Sequence, residues 1–311
     1  MSEKIDKVVL LEHGNNDLTV VNAARCSFDK QVTEMGEKDR KLIQYLAKNG
    51  HWTPFGHPQF SFILDFMVPG DTLRWLEGAQ SCNINFITIG ASRLKVTLSI
   101  YAAVLLNIEM HTIAVQSSVE ALKAYTTPVC STIPEVVRAE RARTATFKFT
   151  MPVFVERQWT THKQNLFISK PETIVRNEVS RRYIDTPPQY HVPADFRLKA
   201  ENVKQGSSSD VLVNTERSIA TEAYLQSIAE GDSTYKDLLG LGVCPEQARA
   251  VLPLAHLTTF WETGTLEAWK RVVRLRLHPH AQKEIREYAQ EIDYVLRNKY
   301  PTQWDNLGLK G

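Results

Sequence analysis

The sequence predicts an α+β fold in which mixed helices surround a small, mainly antiparallel sheet. Segments with helical periodicity outnumber segments that alternate like strands. The strand-like segments also follow one another, whereas a doubly wound sheet would alternate them with helices. The 311 residues are 43% hydrophobic and 23% charged, which is the composition of a globular protein. We therefore predict a single domain over residues 1–311, interrupted at about 67–146 by a helical insertion.

The elements before and after the insertion follow from short patterns. Residues 39–48 place four apolar side chains on one helical stripe. Residues 60–66 alternate apolar and polar side chains, which predicts a half-buried strand, and residues 147–150 predict a second one. Pro152 suits the first turn of a helix that continues to His162.

The predicted insertion differs from the rest of the chain in its hydrophobic periodicity. Helical patterns dominate it, at Leu98–Met110 and Val119–Tyr125. Its longest apolar stretch, Leu98–Ile108, is too short to cross a bilayer, so we expect no membrane association.

The last third of the chain is the most regular and is predicted to contain a series of helices. The helices are expected at 215–230, at 235–241, from Glu246 onward with a kink at Pro253, at 266–277 and at 281–295.

Charge and cysteine usage exclude several classes of protein. The 37 basic and 35 acidic residues give a net charge of +2, so any anionic partner must be met by local arginine clusters. Four cysteines lie far apart, which indicates a reduced, cytoplasmic compartment without a disulfide framework. The apolar run at the start contains charges, unlike a signal peptide. His278 and His280 lack a third ligand at suitable spacing, so no metal is expected.

Arg276 is the clearest candidate functional residue from pattern alone. It falls in the same helical arc as Trp269 and Val272, whereas Arg274 points away. A guanidinium aimed into an apolar interface must find an anionic or carbonyl partner, since its unpaired burial is very costly. There are two alternatives: Arg276 forms an ion pair with a carboxylate near the helix end, or the helix frays before Pro279.

Two further clusters have polar side chains at spacings that suit ligand binding. Gln158, Thr161 and His162 share one helix face, although His162 could equally complement the helix dipole. Ser180 lies two residues before Arg182, a spacing that suits a phosphate clamp because arginine binds phosphate through two parallel hydrogen bonds. The alternative is a solvated or nucleic-acid-binding face.

In order along the chain, these clusters resemble the flavin-dependent thymidylate synthases. The matching blocks are Asn22–Phe28, Gly50–Phe55, Arg157-Gln158-Trp159, Asn177-Glu178-x-Ser180-x-Arg182-Tyr183, Ala248–Leu254, Thr263–Leu266, Leu275-Arg276, His280-Ala281-Gln282 and Glu284-Ile285.

The resemblance implies an FAD-dependent methyltransferase that converts dUMP to dTMP. Methylenetetrahydrofolate would supply the carbon and NADPH would reduce the flavin. A homotetramer without a nucleic-acid partner is implied as well. The catalytic residue would be Arg276. The dUMP-binding residues would be Gln158, Glu178, Ser180, Arg181, Arg182, Arg249 and Arg276. The FAD-binding residues would be Thr53, Thr161, His162, Lys163, Glu178, Thr265, Arg271 and His280.

The chain departs from the family pattern around the flavin. Thr161-His162-Lys163 stands where the family has Arg-His-Arg, and Gly56 stands where it usually has Glu. Lys163, Lys170 or Arg176 is a hypothetical replacement for the lost guanidinium. Two alternatives therefore stay open: a dUMP-binding homologue that has lost flavin chemistry, or a nucleic-acid-binding protein.

Overall fold

A computed structural model of the chain describes residues 7–11, 14–65, 82–88, 93–108, 110, 113–128, 136–141, 144–161, 175–184, 186–199 and 208–307. Within these ranges, no helix is both long and apolar enough to span a membrane.

The strands of the described ranges form two four-stranded antiparallel sheets. Their order is β1-β6-β8-β7 in one sheet and β3-β4-β2-β5 in the other. The bounds are β1 Val8–Leu11, β2 Gln59–Asp65, β3 Cys82–Thr88, β4 Arg93–Ser99, β5 Val136–Arg141, β6 Thr144–Pro152, β7 Val175–Glu178 and β8 Leu257–Thr265. The predicted α+β class is confirmed.

Helices cover both sheets. Their bounds are α1 Asp17–Arg25, α2 Glu37–Lys48, α3 Ile100–Leu105, α4 Gln116–Tyr125, α5 Val153–Trp159, α6 Asn214–Gly240, α7 Pro245–Ala248, α8 Leu266–Arg276, α9 Lys283–Lys299 and α10 Pro301–Asn306.

An aromatic cluster fills the space between the first sheet and its helices. Phe149 on β6 is fully buried and contacts the rings of Trp159, Phe260 and Trp269, with ring centroids 5.1 to 5.9 Å apart. The indole N–H of Trp269 donates to the carbonyl of Ala145 at 2.9 Å, which ties α8 to the same strand. Large apolar burial of this kind is the main stabilising contribution to the fold.

The second sheet corrects the prediction of a mostly helical insertion. The described part of residues 67–146 contains α3 and α4, and it also supplies β3, β4 and β5. The predicted helix Leu98–Met110 begins only at Ile100, because the Ser99 hydroxyl accepts a hydrogen bond from the Ala102 N–H at 3.2 Å and caps it there. Leu98 instead lies in β4.

The helices predicted at 215–230 and 235–241 are one continuous helix, α6. Of its residues, all within the described range 208–307, Tyr235 alone is buried. A Cβ placed on Gly231 would lie 2.8 Å from Pro253 Cδ, so a residue without a side chain lets α6 approach the segment after α7.

The kinked helix predicted from Glu246 is also corrected. α7 ends at Ala248, a 3₁₀ turn covers Arg249–Val251, and the backbone is extended at Leu252. The residue before a proline is disfavoured in the helical region, which explains why the helix does not continue to Pro253.

Candidate active site

Ser180 and Arg182, the residues of the predicted phosphate clamp, are in contact with each other. Both residues lie just after β7, and the Arg182 Nε donates to the Ser180 Oγ at 3.1 Å. The same guanidinium reaches Glu246 at 3.3 Å, and both side chains of this ion pair are largely exposed. Exposed pairs contribute at most about 1 kcal/mol, so an incoming phosphate can displace Glu246 readily.

Two further predicted cations lie near the clamp. His256 is within electrostatic range of Arg181 and Glu178, at the end of β7, and of Arg249, which follows α7. Arg181 donates to the backbone carbonyl of Thr186, and burial lowers its pKa. A guanidinium keeps its charge despite such a shift, so this end of the site is positively charged.

We expect His256 to make stability depend on pH. Burial lowers its pKa, and the charges of Arg181 and Arg249 act in the same direction, against the hydrogen bond from its Nδ1 to Pro253. The unfolded state therefore binds the proton more readily, and the free energy of unfolding falls as pH drops below about 7. His256→Gln should flatten this dependence in urea titrations between about pH 7.5 and 5.5.

His278→Gln is the matched control for that experiment, because its side chain is exposed. His191 also has a pKa lowered by burial, so some pH dependence persists in the His256 variant. Parallel curves for wild type and His256→Gln would contradict the prediction.

Arg276 lies at the C-terminal end of α8 and is half-buried, not enclosed by the apolar face as predicted. Its Nη2 donates to the Thr161 hydroxyl at 3.4 Å. That hydroxyl donates in turn to the backbone carbonyl of Gln158 at 2.7 Å. Thr161, which replaces an arginine of the family pattern, is thus a direct contact of the candidate catalytic arginine.

A cavity of about 910 Å³ opens beside this contact and is lined by Gln158 and His280. Its size is that of a small-molecule or cofactor site. The Gln158 Oε1 is buried and accepts no hydrogen bond within the described residues. A buried acceptor of this kind requires a donor, and a flavin or a uracil ring offers N–H groups. The cavity therefore fits a nucleotide or a flavin.

Two other predicted flavin residues, Thr265 and Arg271, are buried, whereas Thr53 is exposed. The Thr265 hydroxyl caps α8 by accepting from the Ala268 N–H at 3.2 Å, and Arg271 is 8% exposed. Thr53 begins a 3₁₀ turn, Thr53–Gly56. His162 and Lys163 lie outside the described residues, as does Lys170. The assignment of these side chains to FAD stays a prediction.

Arg176 is not available to replace the lost guanidinium, which corrects that hypothesis. Its side chain is 5% exposed and is held by Glu156 and Glu178 at 2.6 and 2.7 Å. A cofactor would have to break both ion pairs to reach it.

A buried network around His57 was not predicted. The imidazole is fully buried, with Nδ1 2.7 Å from the Thr263 Oγ1 and Nε2 3.1 Å from the Asn177 Oδ1. The network fixes Asn177 next to Glu178 at the end of β7. The only hint in the sequence is a histidine at the end of a Pro-Phe-Gly-His turn, which does not reveal its partners.

The structure explains the glycine at position 56. A Cβ at Gly56 would lie 2.8 Å from Val175 Cγ1, so the glutamate of the family pattern cannot fit without displacing β7. We expect Gly56→Ala to lower the free energy of unfolding by about 1–3 kcal/mol, measured by urea denaturation.

Gly240→Ala is the matched control, because a Cβ there meets nothing within 4 Å. It should be neutral or slightly stabilising, since alanine restricts the unfolded chain. Equal losses in the two variants would mean that the close approach to Val175 is unimportant.

Comparisons with known proteins identify the family of the chain. The family model described as thymidylate synthase complementing protein matches residues 9–68 and 140–302, more than half of the chain. A flavin-dependent thymidylate synthase of Thermosipho africanus is 32% identical over 294 residues, covering 94% of this chain and 86% of that protein.

Other matches cover less of their own length or have low sequence identity. A flavin-dependent thymidylate synthase of Thermus thermophilus is 36% identical over 160 residues, 51% of this chain and 54% of that protein, so the match spans about half of it. A second kind of match is the structure of a UMP/dUMP methylase, PolB from Streptomyces cacaoi, bound with 5-Br dUMP. The matched region covers 96% of this chain and 92% of the PolB chain, with 19% sequence identity and a TM-score of 0.46. The family model and the Thermosipho relative together show that the chain belongs to the flavin-dependent thymidylate synthase family.

Proposed function

We propose that the protein is a flavin-dependent thymidylate synthase that converts dUMP to dTMP. Methylenetetrahydrofolate would donate the carbon, and FAD reduced by NADPH would supply the hydride. The observation that carries the proposal is the contact of Arg276 with Thr161 beside the unsatisfied Gln158 Oε1. Gln158 lines the cavity and its backbone carbonyl accepts from the Thr161 hydroxyl, so a cation and a buried acceptor lie close together, as an electron-rich uracil ring requires.

The phosphate and the base would be held at different ends of the site. Ser180, Arg181, Arg182 and Arg249 offer donors and positive charge, which suit the phosphate dianion. Arg276 would lie against the uracil ring and favour ionisation at N3. Glu178 accepts from Arg176 and Thr258, so a ligand group that reaches it must be a hydrogen-bond donor and not the phosphate.

FAD, when bound, would supply hydride, and the chain's own residues would hold it. Gln158 and His280 line the cavity and are the side chains best placed for this role.

The chemistry does not need a cysteine nucleophile, and Cys26 is unsuited to be one. Its side chain is buried and donates to the Asn177 carbonyl at 3.4 Å. Burial raises the pKa of the thiol to about 12, so the reactive thiolate is not populated.

The arrangement disfavours a nucleic-acid-binding protein. That alternative needs exposed arginines along 176–182 and 271–276, but the Arg176 side chain is 5% exposed and Arg271 is 8% exposed. Buried guanidinium groups cannot neutralise a phosphate backbone.

We propose a cytoplasmic homotetramer. Cys26 and Cys244 are free thiols, which suits a reduced compartment. The long helix α6 exposes 62% of Ile219 and 45% of Leu225, an arrangement typical of a helix that packs against another subunit. Sedimentation equilibrium should give four times the chain mass.

The test is dTMP formation from dUMP with methylenetetrahydrofolate, NADPH and a large excess of FAD. Product that requires FAD supports the proposal. Binding of dUMP without any product would identify a homologue that has lost flavin chemistry. Failure to bind dUMP would overturn the assignment of the site.

A further inference from the structure

Arg176 forms a buried ion cluster directly behind the candidate nucleotide site. It lies on β7, and its side chain is 5% exposed. One nitrogen, Nη1, is 2.6 Å from Glu156 on α5, and the other, Nη2, is 2.7 Å from Glu178 on the same strand. A single guanidinium thus joins the helix that precedes Thr161 to the strand that precedes Ser180.

The remaining contacts fix the orientation of that guanidinium. Nη1 donates to the Thr160 hydroxyl at 2.9 Å and lies 3.9 Å from the buried Glu262. The carbon of the group lies 3.6 Å from the centre of the Phe260 ring, a cation–π distance. A planar fork can hold two carboxylates while it stacks on a ring, and an ammonium group cannot do both.

Glu178 receives two of its hydrogen bonds from inside the protein. Oε2 accepts from Arg176, and Oε1 accepts from the Thr258 hydroxyl. The side chain is nevertheless 40% exposed, so its remaining lone pairs face outward. The carboxylate is therefore held in one orientation, with its remaining acceptor positions open to a ligand.

We propose that Arg176 is a positioning residue for dUMP binding: it orients Glu178 towards the nucleotide. The inference rests on the proposed function, because it takes Glu178 to contact dUMP. Arg176 itself does not touch the substrate. Three carboxylates near one guanidinium leave the cluster negative, so it selects a hydrogen-bond donor of the ligand and excludes the phosphate.

The test is a double-mutant cycle on dUMP affinity, measured by calorimetry on the full-length protein without FAD. Arg176→Lys and Glu178→Gln should each weaken dUMP binding by about tenfold. Because both changes remove the same oriented acceptor, the double variant should bind within about twofold of the weaker single variant. A merely structural role for Arg176 would give additive losses.

Glu156→Gln is the matched control. It breaks the other ion pair of the same guanidinium, while glutamine still accepts from Arg176 and Thr160. We expect a lower melting temperature with dUMP affinity within about twofold of wild type. Equal loss of affinity in the Glu156 and Arg176 variants would overturn the positioning role, as would wild-type affinity in Arg176→Lys. Absence of dUMP binding in the wild type would instead contradict the proposed function itself.

Discussion

Arg276→Ala is expected to reduce dTMP formation by about 10²-fold or more. The guanidinium contacts Thr161, whose hydroxyl donates to the carbonyl of Gln158 at the cavity, and removal of one fixed electrostatic donor from a site of this kind typically costs about 10²–10³ in kcat. The loss should appear mainly in kcat if the cation stabilises a developing negative charge on the uracil ring. Steady-state kinetics with saturating FAD, together with dUMP affinity by calorimetry, would separate a loss in kcat from a loss in dUMP binding.

Arg274→Ala is the control for that variant. Arg274 lies in the same last turn of α8 and is exposed, so both substitutions remove one cation from the same helix end. The effect on helix stability should be similar, about 0.3–1 kcal/mol, while activity should fall only in the Arg276 variant. Similar activities for the two variants would exclude a catalytic role for Arg276.

Periodicity in the sequence predicts elements that have one buried and one exposed face. The strand expected at 60–66 is Gln59–Asp65, and the helix expected at 39–48 is Glu37–Lys48. β8 was missed because it lies at the centre of its sheet between β6 and β7, with Glu262 and Thr263 buried. A strand buried on both faces, with polar residues satisfied inside, does not show the alternation that identifies a strand.

The candidate site was predictable where its residues are close in sequence. Ser180 and Arg182 are two positions apart, so the sequence alone places them close together, and their role in binding phosphate stays a prediction. The contact of Arg276 with Thr161 joins residues 115 positions apart, and no local pattern encodes it. Arg176 shows the same limitation, since no local pattern predicts its ion pairs with Glu156 and Glu178.

Phe149→Ala is expected to lower the free energy of unfolding by about 3–5 kcal/mol, the range for deletion of a buried aromatic ring. The ring is fully buried and contacts Trp159 at 5.1 Å, Phe260 at 5.3 Å and Trp269 at 5.9 Å. Two of these rings belong to other elements of the same layer, α5 and α8, so the cavity cannot close without moving a helix. Urea denaturation at one fixed protein concentration would measure the loss, since assembly would make stability depend on concentration.

Phe149→Leu is the control, because it retains most of the apolar volume and should cost clearly less. The alanine variant should also weaken dUMP binding although Phe149 does not reach the cavity. Trp159 is followed by the residues that contact Arg176 and Arg276, and its indole N–H is fixed by Glu262 at 2.7 Å. If Phe149→Ala lost its stability yet bound dUMP as tightly as the wild type, the aromatic cluster would support the fold without setting the position of α5 at the site.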